Sequence, residues 1–425
     1  MLRTVRVSVA IICFLLISLL FLDFTGTLHV WFGWLAKIQF LPALLALNMG
    51  VILSLVLLTL LFGRIYCSVI CPLGVFQDII AWFGKRGKKL PYTYSRALSW
   101  LRYGILIVFI IAVLAGAGSF VALLAPYSSY GRIISNLFAP LYQLGNNMFA
   151  YLAERAESYA FYEVDVWVKS LSTFIIALIT FGVLVLLAWR NGRTYCNTIC
   201  PVGTFLGIIA KYSLFKPVID VSKCNSCGLC ARHCKAACID SKKHKIDYSR
   251  CVVCLDCLDK CRHGAIKYMR RSAVKDKISS PVVTQDQIDS ARRNFLSVSA
   301  LFAATTVIKA QEKKVDGGLA VIEDKKIPNR VVALTPPGSL SVRNFAKHCT
   351  ACQLCVSVCL NQVLRPSGSL MTLMQPEMSY ERGYCRPECT KCSEVCPAGA
   401  IRPISVSEKS SIQIGHAVWI KENCV

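Results

Sequence analysis

The sequence predicts a multi-domain protein: an α-helical membrane domain of about four transmembrane helices, then two small α+β modules built around cysteine. Three observations carry this prediction. The 425-residue chain is 55% apolar with a mean hydropathy of +0.51, yet it holds 48 Lys and Arg. The apolar residues crowd into the first half in charge-free runs. The 23 cysteines fall into tight, repeated spacings.

Residues 38–63, 103–125 and 170–189 contain no charged residue, and each run reaches the roughly 20 residues a helix needs to cross about 30 Å of hydrocarbon. A shorter run, 7–22, has no small-residue cleavage site after it and is followed by further apolar spans, so it reads as a first membrane helix rather than a signal peptide. That makes four spans and a multi-pass protein of a bacterial inner membrane.

A net charge of +24 would suit nucleic acid or anionic lipid. No nucleic-acid recognition motif accompanies it, and two plainer causes account for it. From Arg64 to Arg102 there are seven basic residues and one acid, Asp78, whereas the opposite loop, 126–169, has three basic and four acidic residues. This asymmetry places the N-terminus and residues 64–102 in the cytoplasm. The second cause is a set of anionic centres expected from the cysteines.

Cys224, Cys227, Cys230 and Cys234 read C-x2-C-x2-C-x3-C, and Cys251, Cys254, Cys257 and Cys261 repeat it. This is the two-cluster bacterial ferredoxin pattern, in which the fourth cysteine of each motif ligates the other cluster. A first 4Fe-4S cluster is therefore expected on Cys224, Cys227, Cys230 and Cys261, and a second on Cys251, Cys254, Cys257 and Cys234. The pattern returns at Cys349, Cys352, Cys355 and Cys359, and in a looser C-x3-C-x2-C-x3-C form at Cys385, Cys389, Cys392 and Cys396. By the same crossing, a third cluster takes Cys349, Cys352, Cys355 and Cys396, and a fourth takes Cys385, Cys389, Cys392 and Cys359. Proline follows Cys396, but Lys235, Arg262 and Leu360 stand at the other three equivalent places. A single C-x2-C pair would serve zinc equally; four quartets at this spacing do not read that way. His233 and His263 beside the ligands read as surface residues that tune a cluster slightly.

Residues 63–76, GRIYCSVICPLGVF, and 192–205, GRTYCNTICPVGTF, share G-R-x-Y-C-x3-C-P-x-G-x-F, so the membrane region reads as an internal duplication. Cys67/Cys71 and Cys196/Cys200 are spaced i, i+4, which on a helix puts both thiols on one face. Pro72 and Pro201 are expected to end or kink each helix, and Arg64 and Arg193 to mark the membrane edge. Packing residues or a disulfide are the plain alternatives. A shared intramembrane iron–sulfur site on Cys67, Cys71, Cys196 and Cys200 is the reading carried forward, with two separate dithiols as its rival. Of the other cysteines, Cys13 reads as a buried thiol, Cys238 as a spare ligand, and Cys424 as the opening of a motif cut short.

The expected organisation is a membrane domain at 1–213, a cytoplasmic module of βαβ-type units at 214–270, a linker at 271–339, and a second module at 340–425. Within the linker, ARRNFLSVSALFAATTVIKA at 291–310 resembles a twin-arginine export signal, which would carry the second module to the periplasm; an amphipathic connector or anchor is the alternative.

The CSVICP and CNTICP segments followed by a two-cluster ferredoxin resemble the NapH family of membrane quinol dehydrogenase subunits, with similarity also to the membrane half of NosR, to MauN and to CcoG. The stretch from RRNFL onward resembles the NapG family of exported ferredoxins, as though the two were fused. The resemblance implies oxidation of menaquinol or ubiquinol from the quinone pool, with electrons passed to a redox partner such as a cytochrome or reductase. A CcoG-like metal-reducing maturation factor or a redox-sensing regulator are the alternatives. No C-x-x-C-H motif is present, so haem transfer falls to a partner. His29, Glu163 and Asp165 at the outer face are candidates for a quinol pocket, against the plainer reading of interfacial residues.

Overall fold

Helices Leu2–Leu22 and Leu171–Asn191, each 21 residues, are long and apolar enough to cross a membrane. At 1.5 Å per residue each extends about 30 Å. The computed structural model describes residues 2–23, 26–86, 92–157, 161–270, 333–381 and 383–414. The export-like stretch 291–310, most of the linker and Cys424 lie outside them.

The other two expected spans are broken. The run 38–63 divides into Phe40–Leu45 and Met49–Phe62. Leu47 takes a left-handed φ of 53°, and the Asn48 side chain caps the second piece by accepting from Val51 N at 3.3 Å; both features end one helix and start another. The run 103–125 divides likewise, because Ser99–Ala115 stops at Gly116 with φ 74° before Gly118–Leu124 begins. The outer loop expected at 126–169 instead contains helix Pro126–Ile133, a π-helical turn at Ile134–Phe138, and helix Ala139–Arg155. Every residue of Pro126–Ile133 is buried, its polar ones included. It packs against protein, so it needs no apolar signature and was invisible to a hydropathy reading.

Both cysteine modules hold the ends of these helices. At one end, Arg3 pairs with Asp256 at 2.8 Å, Phe62 stacks on Phe215, Arg102 Nη2 donates to Ser249 O at 3.2 Å, and Arg193 N donates to Lys235 O at 2.9 Å. All four partners belong to residues 215–270. At the other end, Gly131 lies against Cys352 O and the Phe21 ring, Lys347 packs on Gly116, and Gly368 sits beside Ser172. Those partners belong to residues 333–414. The first module therefore caps one end of the helical layer and the second module caps the opposite end.

The modules are small. In the first, Phe215–Ile219 pairs antiparallel with Ile266–Arg270, and Ile239–Asp240 with Lys245–Ile246; in the second, Leu364–Pro366 pairs antiparallel with Pro376–Met378. These antiparallel pairs replace the expected βαβ units. With only five residues in the longest strand, there is no chain to spare for a crossover to a parallel neighbour.

Candidate metal centres

Both copies of the membrane motif fold the same way. Gly63 and Gly192 end their helices with φ of 75° and 71°, a conformation that costs glycine nothing. A short helix follows, Ile65–Val69 or Thr194–Thr198, and then Pro72 or Pro201 opens a new helix. The prolines thus start helices, as proline at N1 does, rather than kinking one already running. Cys67 and Cys196 lie in the short helices, whereas Cys71 and Cys200 lie at the junctions. The thiols of a pair are therefore not stacked on one continuous helical face.

All four thiols are buried, at 3–5% exposure, and lie within electrostatic range of one another: Cys200 feels Cys196, Cys71 and Cys67, and Cys196 feels Cys67. The guanidinium groups of Arg64 and Arg193 are wholly buried here, at helix ends covered by the first module, where Arg64 Nη1 donates to Ser249 O and Arg193 N to Lys235 O. Arg64 Nη2 donates to Cys196 O at 3.1 Å, and Arg193 Nη1 donates to Cys67 O. The conserved-in-both-copies glycine explains itself by space. A Cβ on Gly203 would come within 2.4 Å of Cys196 O and 2.8 Å of Arg64 Nη2, and one on Gly74 within 2.2 Å of Cys67 O and 3.0 Å of Arg193 Nη1. Gln77 Nε2 also donates to Cys196 Sγ at 3.2 Å.

Asp78 is the charge partner sequence reading missed. It accepts from Arg193 Nε and Nη2 at 2.8 and 2.7 Å and lies 3.3 Å from Arg6 Nη1 and 3.6 Å from Lys235 Nζ. Lys235, which replaces the usual proline after Cys234, also reaches Asp256 at 3.1 Å. The substitution thus joins the first module to the membrane motif.

In the modules, three loops share one backbone device. Ser226, Val253 and Ala351, each just before the second cysteine of its motif, have φ of 55°, 51° and 50°. Gly228, Leu255 and Gln353, each just after that cysteine, have φ of 71°, 62° and 66°. Left-handed backbone at non-glycine residues costs about 1–3 kcal/mol each and concentrates at functional sites. The looser fourth motif has one more residue, and none of residues 386–391 adopts positive φ.

One cavity is lined by Cys234, Cys251, Cys254 and Cys257, together with Cys238. Another is lined by Cys349, Cys352, Cys355 and Cys396. Cys392 lies in electrostatic range of Cys359, Cys385 and Cys389, and Cys230 of Cys224 and Cys227. Cys261 follows helix Asp256–Lys260, which packs on Leu229–Arg232, the helix carrying Cys230. The structure thus gathers the crossed second, third and fourth quartets and brings Cys261 toward the first trio. No disulfide joins the described cysteines. Among the described residues no group of His, Cys, Asp or Glu closes round a single ion; a cube takes one thiolate at each of four corners, so its ligands stand wider than four round one zinc.

Burial pushes the Cys254 and Cys392 thiols up to about 12 and Cys352 to about 11. Such thiols are protonated at neutral pH unless a metal takes the proton's place. The donors around them suit anionic centres. Lys409 Nζ lies 3.2 Å from Cys385 Sγ, Ala351 N donates to Cys349 Sγ at 3.4 Å, and Ile401 N to Cys396 Sγ at 3.5 Å. Hydrogen bonding to Cys238 draws the Cys234 and Cys251 thiols down and leaves Cys238 raised. Cys238 Sγ lies 3.5 Å from Cys234 Sγ in the same cavity. Arg132, wholly buried between the motif and the second module, donates to Ala122 O at 2.7 Å and Ser129 Oγ at 3.2 Å. It has no carboxylate partner among the described residues, and the Cys352 thiol and Tyr195 lie in its electrostatic range.

The outer-face trio is not gathered. His29 Nδ1 lies 3.2 Å from Asp23 Oδ2. Asp165 instead lines a cavity with Cys359 and Lys169, and Glu163 is exposed.

A family model for a 4Fe-4S binding domain matches residues 45–91 and 173–221, so each match contains one membrane cysteine motif. The ferredoxin-type protein NapH of Haemophilus influenzae is 27% identical over 241 residues, 54% of this chain and 70% of its own length. The putative electron transport protein YccM of Escherichia coli is 24% identical over 229 residues, 52% of this chain and 55% of its own. The pyruvate synthase subunit PorD of Methanothermobacter marburgensis is 45% identical over 60 residues, 14% of this chain and 73% of its own. The first two matches thus cover about half of this chain. No solved structure matches it.

Proposed function

We propose that this chain, which belongs to the NapH-like family of ferredoxin-type 4Fe-4S proteins, oxidises membrane quinol and conducts electrons between centres at the two faces of the bilayer to a redox partner such as a reductase. The observation that carries this reading is the arrangement in depth. One cysteine module caps each end of the helical layer, and Cys67, Cys71, Cys196 and Cys200 lie buried with the helices between them.

The ligand assignment follows the crossed quartets: Cys224, Cys227, Cys230 and Cys261; Cys251, Cys254, Cys257 and Cys234; Cys349, Cys352, Cys355 and Cys396; Cys385, Cys389, Cys392 and Cys359. Cys67, Cys71, Cys196 and Cys200 would hold a fifth centre. An iron–sulfur cluster, when bound, supplies reversible one-electron storage. The protein's own part is to fix the ligands, exclude water and balance charge. Arg64, Arg193 and Gln77 provide donors around the membrane thiols; Arg132 and Lys409 do so near the second module. A buried thiolate without such partners is costly. The first module is assigned to the cytoplasm, where the basic loop lies. The second is assigned to the periplasm, delivered as a NapG-like ferredoxin.

Cys67→Ser tests the shared membrane site. Iron should fall by about two to four atoms per chain, and reduction of the remaining clusters by a quinol analogue should be abolished. Unchanged iron with only altered thiol titration would replace the shared centre with two dithiols.

A further inference from the structure

A cavity of about 990 Å³ opens where the first module meets the second copy of the membrane motif, a size within the range of small-molecule sites. Its lining includes Arg96, Arg190, Lys235 and Arg250, the amide of Asn197, and the ring of Trp189, and among the described residues no acidic side chain lines it. Lys235 is already engaged by Asp78 and Asp256, and Arg250 by Asp247, so most of the positive field in the cavity comes from Arg96 and Arg190. Arg250 is the telling one. It is 4% exposed, its Nε donates to Asp247 at 2.8 Å and its Nη1 to Ser95 at 3.4 Å, while its Nη2 is buried with no partner. An unmet guanidinium N–H in a buried site is destabilising, and a ligand acceptor would relieve it. Arg190 and Trp189 sit at the last turn of the apolar Leu171–Asn191 helix, where aromatic and basic residues meet lipid headgroups.

We propose that this cavity binds a phosphate group, that of an anionic phospholipid headgroup at the membrane surface. The guanidinium fork matches phosphate oxygens in pairs, and basic pockets between membrane helices on the cytoplasmic side take such headgroups. The proposal rests on the membrane reading given above. Because the cavity wall includes Lys235 and Arg250, each adjacent in sequence to a cysteine of the second quartet, the lipid would tie the bilayer surface to that centre.

The test is native mass spectrometry of the full-length protein in detergent, offered phosphatidylglycerol, phosphatidylcholine or inorganic phosphate. Wild type should retain phosphatidylglycerol at activation energies that strip phosphatidylcholine. Arg190→Gln and Arg250→Gln should each cut that retention by about fivefold. Arg96→Gln, on an exposed position, should do the same with iron content unchanged, which separates the effect from misfolding. Equal retention by wild type and all three variants would overturn the proposal. So would stabilisation by inorganic phosphate with no preference between the two lipids. Failure of phosphatidylglycerol to bind would also overturn the proposal, whereas the membrane reading is tested separately by the compartment of reporter fusions.

Discussion

Arg64 and Arg193 each reach out of their own motif copy to the cysteine of the other: Arg64 Nη2 to Cys196 O at 3.1 Å, and Arg193 Nη1 to Cys67 O. The duplicated helices are thereby cross-braced through two fully buried guanidinium groups. The brace is not symmetric in charge. Asp78 neutralises Arg193, and the position matching it in the second copy is Gly207, where Arg102 Nη2 and Ser249 O occupy the space a side chain would need.

Removing the acid alone should be costly. Asp78→Ala leaves Arg193, Arg6 and Lys235 facing one another, and loss of one partner from a buried ion pair typically costs about 3–5 kcal/mol. The paired change Asp78→Leu with Arg193→Met should recover part of that loss. Thermal unfolding in detergent of wild type, Asp78→Leu, Arg193→Met and the double variant closes the cycle, and a double variant no better than Asp78→Leu would show that Arg6 and Lys235 dominate the site.

Glycine at 203 is required by contact. Gly203→Ala should abolish accumulation of folded protein, because a Cβ would meet Cys196 O at 2.4 Å and Arg64 Nη2 at 2.8 Å. Gly182→Ala, in the Leu171–Asn191 helix with nothing within 4 Å of its Cβ position, should be neutral or stabilising by up to about 1 kcal/mol. Expression and gel-filtration profiles compare the two directly.

Lys409 should set a redox potential. Its ammonium lies 3.2 Å from Cys385 Sγ, so Lys409→Met removes a cation beside the fourth quartet. One cluster should become harder to reduce, by on the order of 60 mV, a tenfold factor for a one-electron couple. Lys409→Arg should stay near wild type. An EPR-monitored titration reads this, and a potential unmoved by Lys409→Met would remove Cys385 from the ligand set.

Iron should approach about sixteen atoms per chain from the four crossed quartets before any membrane centre is added, with little zinc. Chelation under reducing conditions should collapse both modules, because metal binding supplies much of the folding free energy of modules with so little regular structure. Values near eight irons would strip the second module of its assignment.

Reporter fusions at Lys267 and Ile414 should report opposite compartments. Changing Arg292 and Arg293 to Lys should then hold the second module in the cytoplasm. Fusions reporting one compartment would contradict the arrangement in depth.

The cysteine motifs were legible because ligand spacing is local: a tight loop must present three thiols within a few residues. The same spacing suggested the crossing of the fourth ligand, and the fold places Cys234 in a cavity with Cys251, Cys254 and Cys257, and Cys396 in one with Cys349, Cys352 and Cys355. The helix breaks at Leu47 and Gly116 were not, because hydropathy measures what a segment is soluble in and not whether it runs straight. The i, i+4 reading of the membrane cysteines failed for a similar reason. A proline at position 72 or 201 is compatible with either a kinked helix or a new one, and only the chain's path decides.

The sequence by itself determined the chemistry: which thiols are present, at what intervals, and in how many apolar runs, since those are properties of neighbouring residues. Tertiary structure decided which partners that chemistry has. Asp78 against Arg193, Lys235 against both Asp78 and Asp256, Arg132 beside Cys352, and Lys409 against Cys385 all join residues remote in the chain. A buried charge is stable only where the folded chain delivers a counter-charge or donors to it, and no local pattern records where that delivery occurs.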